Sequence, residues 1–245
     1  MASSGARERA FDTRNATTAG RSQELPAAKT AGWKRCLDIC CIVISLPLVL
    51  PLMVLIVLWI KLCSRGPALL RQRRIGRNGR LFTLYKFRSM KINSGTDRQE
   101  AHVRDLIKLD RPMIKLDFLC DSRLILGSCL LRAAGLDELP QLLNVLRGEM
   151  SLVGPRPCLP GEYAFFSAKQ RERFHALPGL TGIWQVNGKN QSTFREMTEM
   201  DIHYVRNVSV LLDLRIMLRT PAALLLQMYL ACQHIHASRR GLVLD

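Results

Sequence analysis

The longest apolar stretch of the chain runs from Ile39 to Ile60, 22 residues without a charged side chain. Coiled as a helix it would reach about 33 Å, enough to cross the hydrocarbon core of a bilayer. Pro47 and Pro51 fall inside it. Each lacks an N–H and each disturbs the helical ladder. Ser45 is near enough to donate to a carbonyl freed in this way, which makes a bend tolerable in lipid. The segment either kinks and crosses, or turns back. Its flanks bear on that choice. Residues 1–36 carry seven basic side chains against three acidic, and residues 61–91 carry ten basic and none acidic. Basic flanks are retained on the cytoplasmic side. Two basic flanks therefore favour a bent, re-entrant helix hairpin with both ends on one face.

Beyond residue 64 the pattern changes. Ala68–Arg71 and Leu81–Phe87 are strand-like, and Gly76-Arg77-Asn78-Gly79 between them has turn chemistry, which predicts a short β-hairpin. Residues 93–118 are polar and compatible with helix. Leu139–Leu146 has a helical apolar period, and Tyr163–His175 predicts another helix. Val208–Gln233 is strongly apolar, with Asp213, Arg215 and Arg219 as its only charges and Pro221 breaking it. Those charges favour amphipathic helices lying in the interface or packed on the domain over a second span. The expected fold is α/β and mostly helical. It comprises a flexible tail (1–32), a re-entrant membrane helix (33–63), a small cytoplasmic catalytic domain (64–232) and a C-terminal tail (233–245).

Charge narrows the partners. The chain holds 36 basic and 20 acidic residues, a formal net charge of +16. That excess suits a polyanion: nucleic acid, an anionic membrane lipid surface or phosphorylated substrates. The basic residues crowd the region after the apolar segment, without interleaved stacking aromatics or a recognisable nucleic-acid module, so no nucleic acid is expected. Arg71, Arg73, Arg74, Arg77, Arg80, Lys86 and Arg88 decorate the predicted hairpin. They can hold anionic headgroups, while Lys86 and Arg88 can instead face a substrate phosphate. The eight cysteines form no C-x-x-C and no zinc-type spacing, which points to free thiols in a reducing compartment.

Candidate chemistry concentrates between Arg132 and Pro157. Leu136-Asp137-Glu138-Leu139-Pro140 precedes an amphipathic helix, where Asp137 suits the N-cap and Glu138 the helix dipole. The same geometry serves catalysis. Two adjacent carboxylates can share Mg²⁺ with substrate phosphates, and one of them can attack phosphorus. Arg132, Arg147 and Arg156 lie near in sequence to offset the charge. In Gly154-Pro155-Arg156-Pro157, two prolines stiffen the backbone around one guanidinium, a planar fork suited to phosphate.

These stretches recur in order with others: Lys34-Arg35-Cys36-Leu37-Asp38, Gly66-Pro67, Arg74–Gly79, Tyr85–Met90, Leu136–Gln141, Asn144–Pro157, Pro178–Gly188, Asp201–Val205 and Leu212–Ile216. Together they resemble the bacterial sugar transferases, the monotopic phosphoglycosyl transferases. The likeness spans about residues 33 to 220. It implies that Asp137 attacks the β-phosphate of a UDP-sugar donor to form a covalent phosphosugar, which a polyprenyl phosphate acceptor then takes. It implies Mg²⁺ held by Asp137 and Glu138. It also implies phosphate contacts from Arg132 and from Arg156 between Pro155 and Pro157; Lys86, Arg88 and Gln185 join them as candidates for the phosphate-binding set. Ser45, Pro47 and Pro51 would form the membrane bend, at the bacterial inner membrane with the catalytic domain on the cytoplasmic face. Two departures stand out. Asp121-Ser122-Arg123 replaces the family's frequent Asp-Pro-Arg, and Ala133-Ala134-Gly135 precedes the dyad where polar residues are common. A non-catalytic scaffold would keep the fold and lack turnover, but the intact dyad argues against it. The oligomeric state stays open, a homo-oligomer included.

Overall fold

A computed structural model describes residues 31–91, 124–188 and 192–239, with residues 103, 105–107, 109, 111 and 112 between the first two stretches. Most of the expected helix within 93–118, the Asp121–Arg123 departure and most of the expected N-terminal tail lie outside the described residues.

Helix α1 (Gly32–Cys63) contains the apolar run, with Pro47 and Pro51 inside one helical element. Among the described residues it alone is long and apolar enough to cross a membrane. Only 11% of its most apolar window is buried in the molecule, unlike the core helix of a soluble protein. Ile44 is 80% exposed and Leu48 77%, a surface that water disfavours and lipid accepts. The Ser45 hydroxyl donates to the Ile42 carbonyl at 3.0 Å. The carbonyl that loses its partner to Pro47 is that of Val43, four residues back, so Ser45 binds one position short of the expected acceptor.

Both ends of α1 dock on the same domain. At the start, the Lys34 ammonium donates to Val153 O at 2.9 Å, to the Tyr204 hydroxyl at 2.8 Å and to Asp213 at 2.5 Å. Asp38 accepts from the Ser151 hydroxyl at 3.1 Å and the Leu152 N–H at 3.0 Å. At the far end, the Trp59 indole donates to Leu126 O at 3.1 Å, and Ile56 and Ile60 pack with Ala68, Phe87 and Ile125.

Strands β1 (Leu69–Ile75) and β2 (Leu81–Phe87) form the antiparallel hairpin. β1 runs four residues past its expected end at Arg71, because its basic side chains face solvent or the site and leave the ladder intact. Asn78 and Gly79 take positive φ in the turn, as the Asn-Gly signal requires. Helix α2 (Ser128–Ala133) leads into a 3-10 segment, Leu136–Gln141, and then α3 (Leu142–Leu146). The first three residues of the expected helix at 139–146 are thus 3-10. Strands β3 (Ser151–Val153) and β4 (Gly179–Thr181) pair in parallel. The expected helix Tyr163–His175 resolves into a single turn, α4 (Pro160–Tyr163), and a 3-10 segment, Gln170–His175. Helices α5 (Ile183–Val186), α6 (Phe194–Arg206) and α7 (Val210–Arg239) follow. Contrary to expectation, α7 runs straight through Pro221 and past residue 233. Loss of one internal hydrogen bond is tolerable in a helix of thirty residues that packs on α2, α5, β3 and β4.

The candidate active site

Gly135 starts the site. Its φ of +68° is a left-handed geometry that suits glycine, and it opens the 3-10 segment two residues before Asp137. Asp137 therefore sits inside the segment and is not its N-cap, which corrects the sequence expectation. Asp137 is 7% exposed, and Glu138 beside it is half-buried.

Lys86, on β2, faces this dyad. Burial, then the charges of Arg74 and Arg132, push its ammonium down to about 8, against the pull of Asp137 and Glu138. Arg74 is buried as well. Burial and the nearby Arg156 push it down to about 10, opposed by Glu162 and Glu138. Its guanidinium donates to Pro157 O at 3.2 Å and to Gln72 at 2.9 Å. Arg132 closes α2 and donates to the Ser89 hydroxyl at 3.1 Å. Four cations and three carboxylates thus share one partly buried region, a concentration of perturbed groups typical of functional sites.

Arg156 lies on the turn after β3 and grips Glu162 with both nitrogens, at 2.8 and 3.2 Å. Burial raises Glu162, but Arg156, by charge and by hydrogen bond, more than offsets it and holds the carboxyl below its usual range. The Trp184 ring lies 6.0 Å from the Arg156 guanidinium. Arg173 donates to the Arg156 carbonyl at 2.8 Å and pairs with buried Asp201. The turn cannot drift, because Gly154 and Gly179 touch backbone to backbone. A Cβ on Gly179 would meet Gly154 N at 2.1 Å. Pro155 O accepts the Gly179 N–H at 2.8 Å. The two prolines therefore serve the turn through their carbonyls and their rigidity.

Arg88 goes elsewhere. Its guanidinium donates to Ser64 O at 2.9 Å and Arg65 O at 2.7 Å, fastening the backbone that leaves the end of α1. Two of its nitrogens are thus turned to the backbone rather than to the dyad. Gln185, on α5, shares a cavity with Glu138. Arg74, Glu162 and Arg173 were not singled out for the site by sequence. Strand parity offered one signal: alternation puts Arg74 on the face opposite Arg71 and Arg73, the face Lys86 shares through the register Leu70↔Lys86. Seven cysteines, Cys36, Cys40, Cys41, Cys63, Cys129, Cys158 and Cys232, carry free thiols.

This arrangement, a buried carboxylate dyad among cations, suits attack at phosphorus with the charge held by arginine and lysine. Comparison with known proteins identifies the family. The family described as bacterial sugar transferase matches residues 29–227. The chain is 36% identical over 217 residues to the exopolysaccharide production protein ExoY of Sinorhizobium fredii, covering 87% of this chain and 96% of ExoY. It is 42% identical over 200 residues to the UDP-glucose:undecaprenyl-phosphate glucose-1-phosphate transferase of Caulobacter vibrioides, covering 78% and 69%. It is 40% identical over 162 residues to galactosyl transferase CpsE of Streptococcus agalactiae, where the match covers 66% of this chain and only 35% of CpsE. By the extent of the family match and the near full-length likeness to ExoY, the chain belongs to the bacterial sugar transferase family.

Proposed function

We propose that the protein moves a sugar 1-phosphate from a UDP-sugar to undecaprenyl phosphate and releases UMP, as the first membrane step of exopolysaccharide or other surface-glycan synthesis. The donor and acceptor are those in the name of the Caulobacter relative. The observation that carries the reading is the buried Asp137–Glu138 dyad faced by Lys86 with Arg74 and Arg132 nearby.

In this reading an Asp137 carboxylate oxygen attacks the β-phosphorus. The bond from that phosphorus to the bridging oxygen breaks, and UMP leaves with the electron pair. An acyl phosphate on Asp137 then carries the sugar. An oxygen of the lipid phosphate attacks the same phosphorus, the bond from phosphorus to the Asp137 oxygen breaks and the carboxylate is restored. Lys86 and Arg132 hold negative charge as it shifts toward the leaving group. The Arg156 turn positions the donor.

Magnesium fits this donor set. It takes oxygen ligands from one or two carboxylates and shares substrate phosphates. Asp137 and Glu138 offer that pair, and the described residues contain no cluster of three or more metal-ligating side chains. Bound by these two residues, it would neutralise charge between the dyad and the diphosphate.

The placement of α1 supports a re-entrant topology at the cytoplasmic face of the inner membrane. A straight crossing would separate its ends by about 30 Å of hydrocarbon, yet Lys34 and Trp59 both bind the same domain. Labelling of a residue in the N-terminal tail from the periplasm would overturn that topology.

The central experiment supplies labelled UDP-sugar without acceptor. Label is expected on the peptide that contains Asp137, matched by UMP release and absent in Asp137→Asn. Turnover by that variant, or label confined to other peptides, overturns the mechanism.

A further inference from the structure

A cavity of about 390 Å³ opens beside the dyad, between the 3-10 segment and α5 on one side and α7 on the other. Its size lies within the range of small-ligand pockets. Glu138 contributes to its wall, whereas Arg74, Lys86, Arg132 and Arg156 do not. The rest is mainly apolar and includes Leu139, Leu180, Met217 and Leu224. Its threonines are turned to internal use. Thr220 donates to Ile216 O at 2.8 Å, and its hydroxyl meets that of Thr181 at 2.9 Å. Gln185 and Gln227 also line the cavity, so its remaining polar side chains are Glu138 and these two amides, whereas a uracil or a sugar needs several hydrogen bonds.

The apolar surface continues outward. Leu225 and Leu226, next to Leu224 on α7, are 66% and 58% exposed, and Leu218, two turns before Leu225, is 81% exposed. A chain leaving the cavity past Leu225 and Leu226 therefore meets leucine, and the nearest charge along the helix is Arg219, beside Leu218.

We propose that this cavity receives the first isoprene units of the lipid acceptor. The inference rests on the transferase reading and deepens it. The anionic donor is held on the cationic side of the dyad, and the prenyl chain enters on the apolar side. Phosphate head and prenyl tail are thus sorted by two different surroundings that meet at Asp137 and Glu138. Gly135 helps to set the inner wall, since a Cβ there would lie 3.2 Å from Leu224.

The test uses the full chain in bilayer nanodiscs. Ala223→Phe places a ring in the cavity, which Ala223 lines. It should raise the KM for undecaprenyl phosphate about tenfold, while the KM for the UDP-sugar moves less than twofold and label still accumulates on Asp137 without acceptor. An unchanged acceptor KM overturns the proposal. So does a raised donor KM in its place, which would mark a nucleoside pocket. A second measurement needs no variant. A prenyl phosphate with a diazirine near its head group should crosslink to residues 217–227 of the unmodified protein, and crosslinks confined to α1 overturn the assignment. Failure of the unmodified protein to take label from any UDP-sugar would instead remove the transferase reading on which the proposal rests.

Discussion

Two charged clusters lie within the same small domain and are built on opposite plans. The first joins α1 to α7. Lys34 spends its three donors on Val153 O, Tyr204 and Asp213, all buried, and Tyr204 also donates to Asp213 at 2.7 Å. Burial, then the Asp213 charge, pushes the Tyr204 phenol up, so it remains a donor. The second surrounds the dyad. There Lys86 and Arg74 are pushed down by burial and by other cations. In the first cluster the donors of Lys34 and both oxygens of Asp213 are matched by partners within the protein, with Asp38 as a second carboxylate nearby. The second keeps like charges close, at a cost that a bound diphosphate would relieve. A balanced cluster marks an anchor, and a repulsive one marks a place prepared for ligand.

The sharpest way to break this comparison is to unbalance the anchor. Lys34→Ala leaves Asp213 buried without its cation, and loss of one member of a buried pair costs about 3–5 kcal/mol. Thermal unfolding in detergent should show a large fall in melting temperature. The double variant Lys34→Met with Asp213→Leu should recover much of it, since an apolar pair of similar volume can replace a buried ion pair. If the single variant unfolds like the wild type, the anchor is not holding α1. At the site the effect should fall on turnover. Arg156→Lys keeps the charge but loses the two-pronged grip on Glu162 and the plane over Trp184. UMP release, read as kcat/KM, should drop about a hundredfold with the melting temperature little changed. A matched loss of stability would make Arg156 an anchor too.

The contrast also explains what sequence could convey. The apolar run, the hairpin turn at Asn78-Gly79 and the dyad were legible, because each depends on a local property: hydropathy, positive φ, or adjacent carboxylates. The fate of Arg88 was not, since nothing in Tyr85–Met90 says that its guanidinium must fasten the backbone leaving α1 some 24 residues back. Asp137 was misplaced as an N-cap because a left-handed Gly135 begins the segment earlier than Pro140 suggests. Pro221 was read as a breaker because packing along α7 has no sequence signature. Glu162 lies near Arg156 in the chain, yet neither residue announces a bidentate pair. Long-range partners decide these positions.

Lys86 sharpens the comparison through pH. Its folded pKa, about 8, lies below its ordinary 10.5. Between those values the unfolded chain binds more protons, so stability should rise with pH across that window. Activity should fall over the same range, as the ammonium that faces the dyad is lost. Opposite trends in melting temperature and UMP release are the expected signature. Lys86→Met should lower turnover, flatten both profiles and raise stability at pH 7 by about 1 kcal/mol, because it removes a charge held among Arg74 and Arg132. A variant less stable than wild type at pH 7 would show that Lys86 is balanced after all, and would move the dyad into the anchor class.

The smallest effect is expected where charge is neither balanced in the interior nor crowded. Arg206 and Glu172 form an exposed two-bonded pair at 2.6 and 2.7 Å. The hydrogen bond from Arg206 holds Glu172 below its usual range. A lowered carboxylate stabilises the fold above its unfolded pKa and loses that contribution as pH falls through the folded value. Water and salt screen the pair, so its contribution near neutral pH is slight. Arg206→Ala should leave UMP release and melting temperature unchanged at physiological salt, with any difference from wild type confined to neutral pH and low salt and vanishing in acid. A clear loss of stability at physiological salt would show that close geometry alone makes an anchor, and the distinction between interior balance and surface pairing would fail.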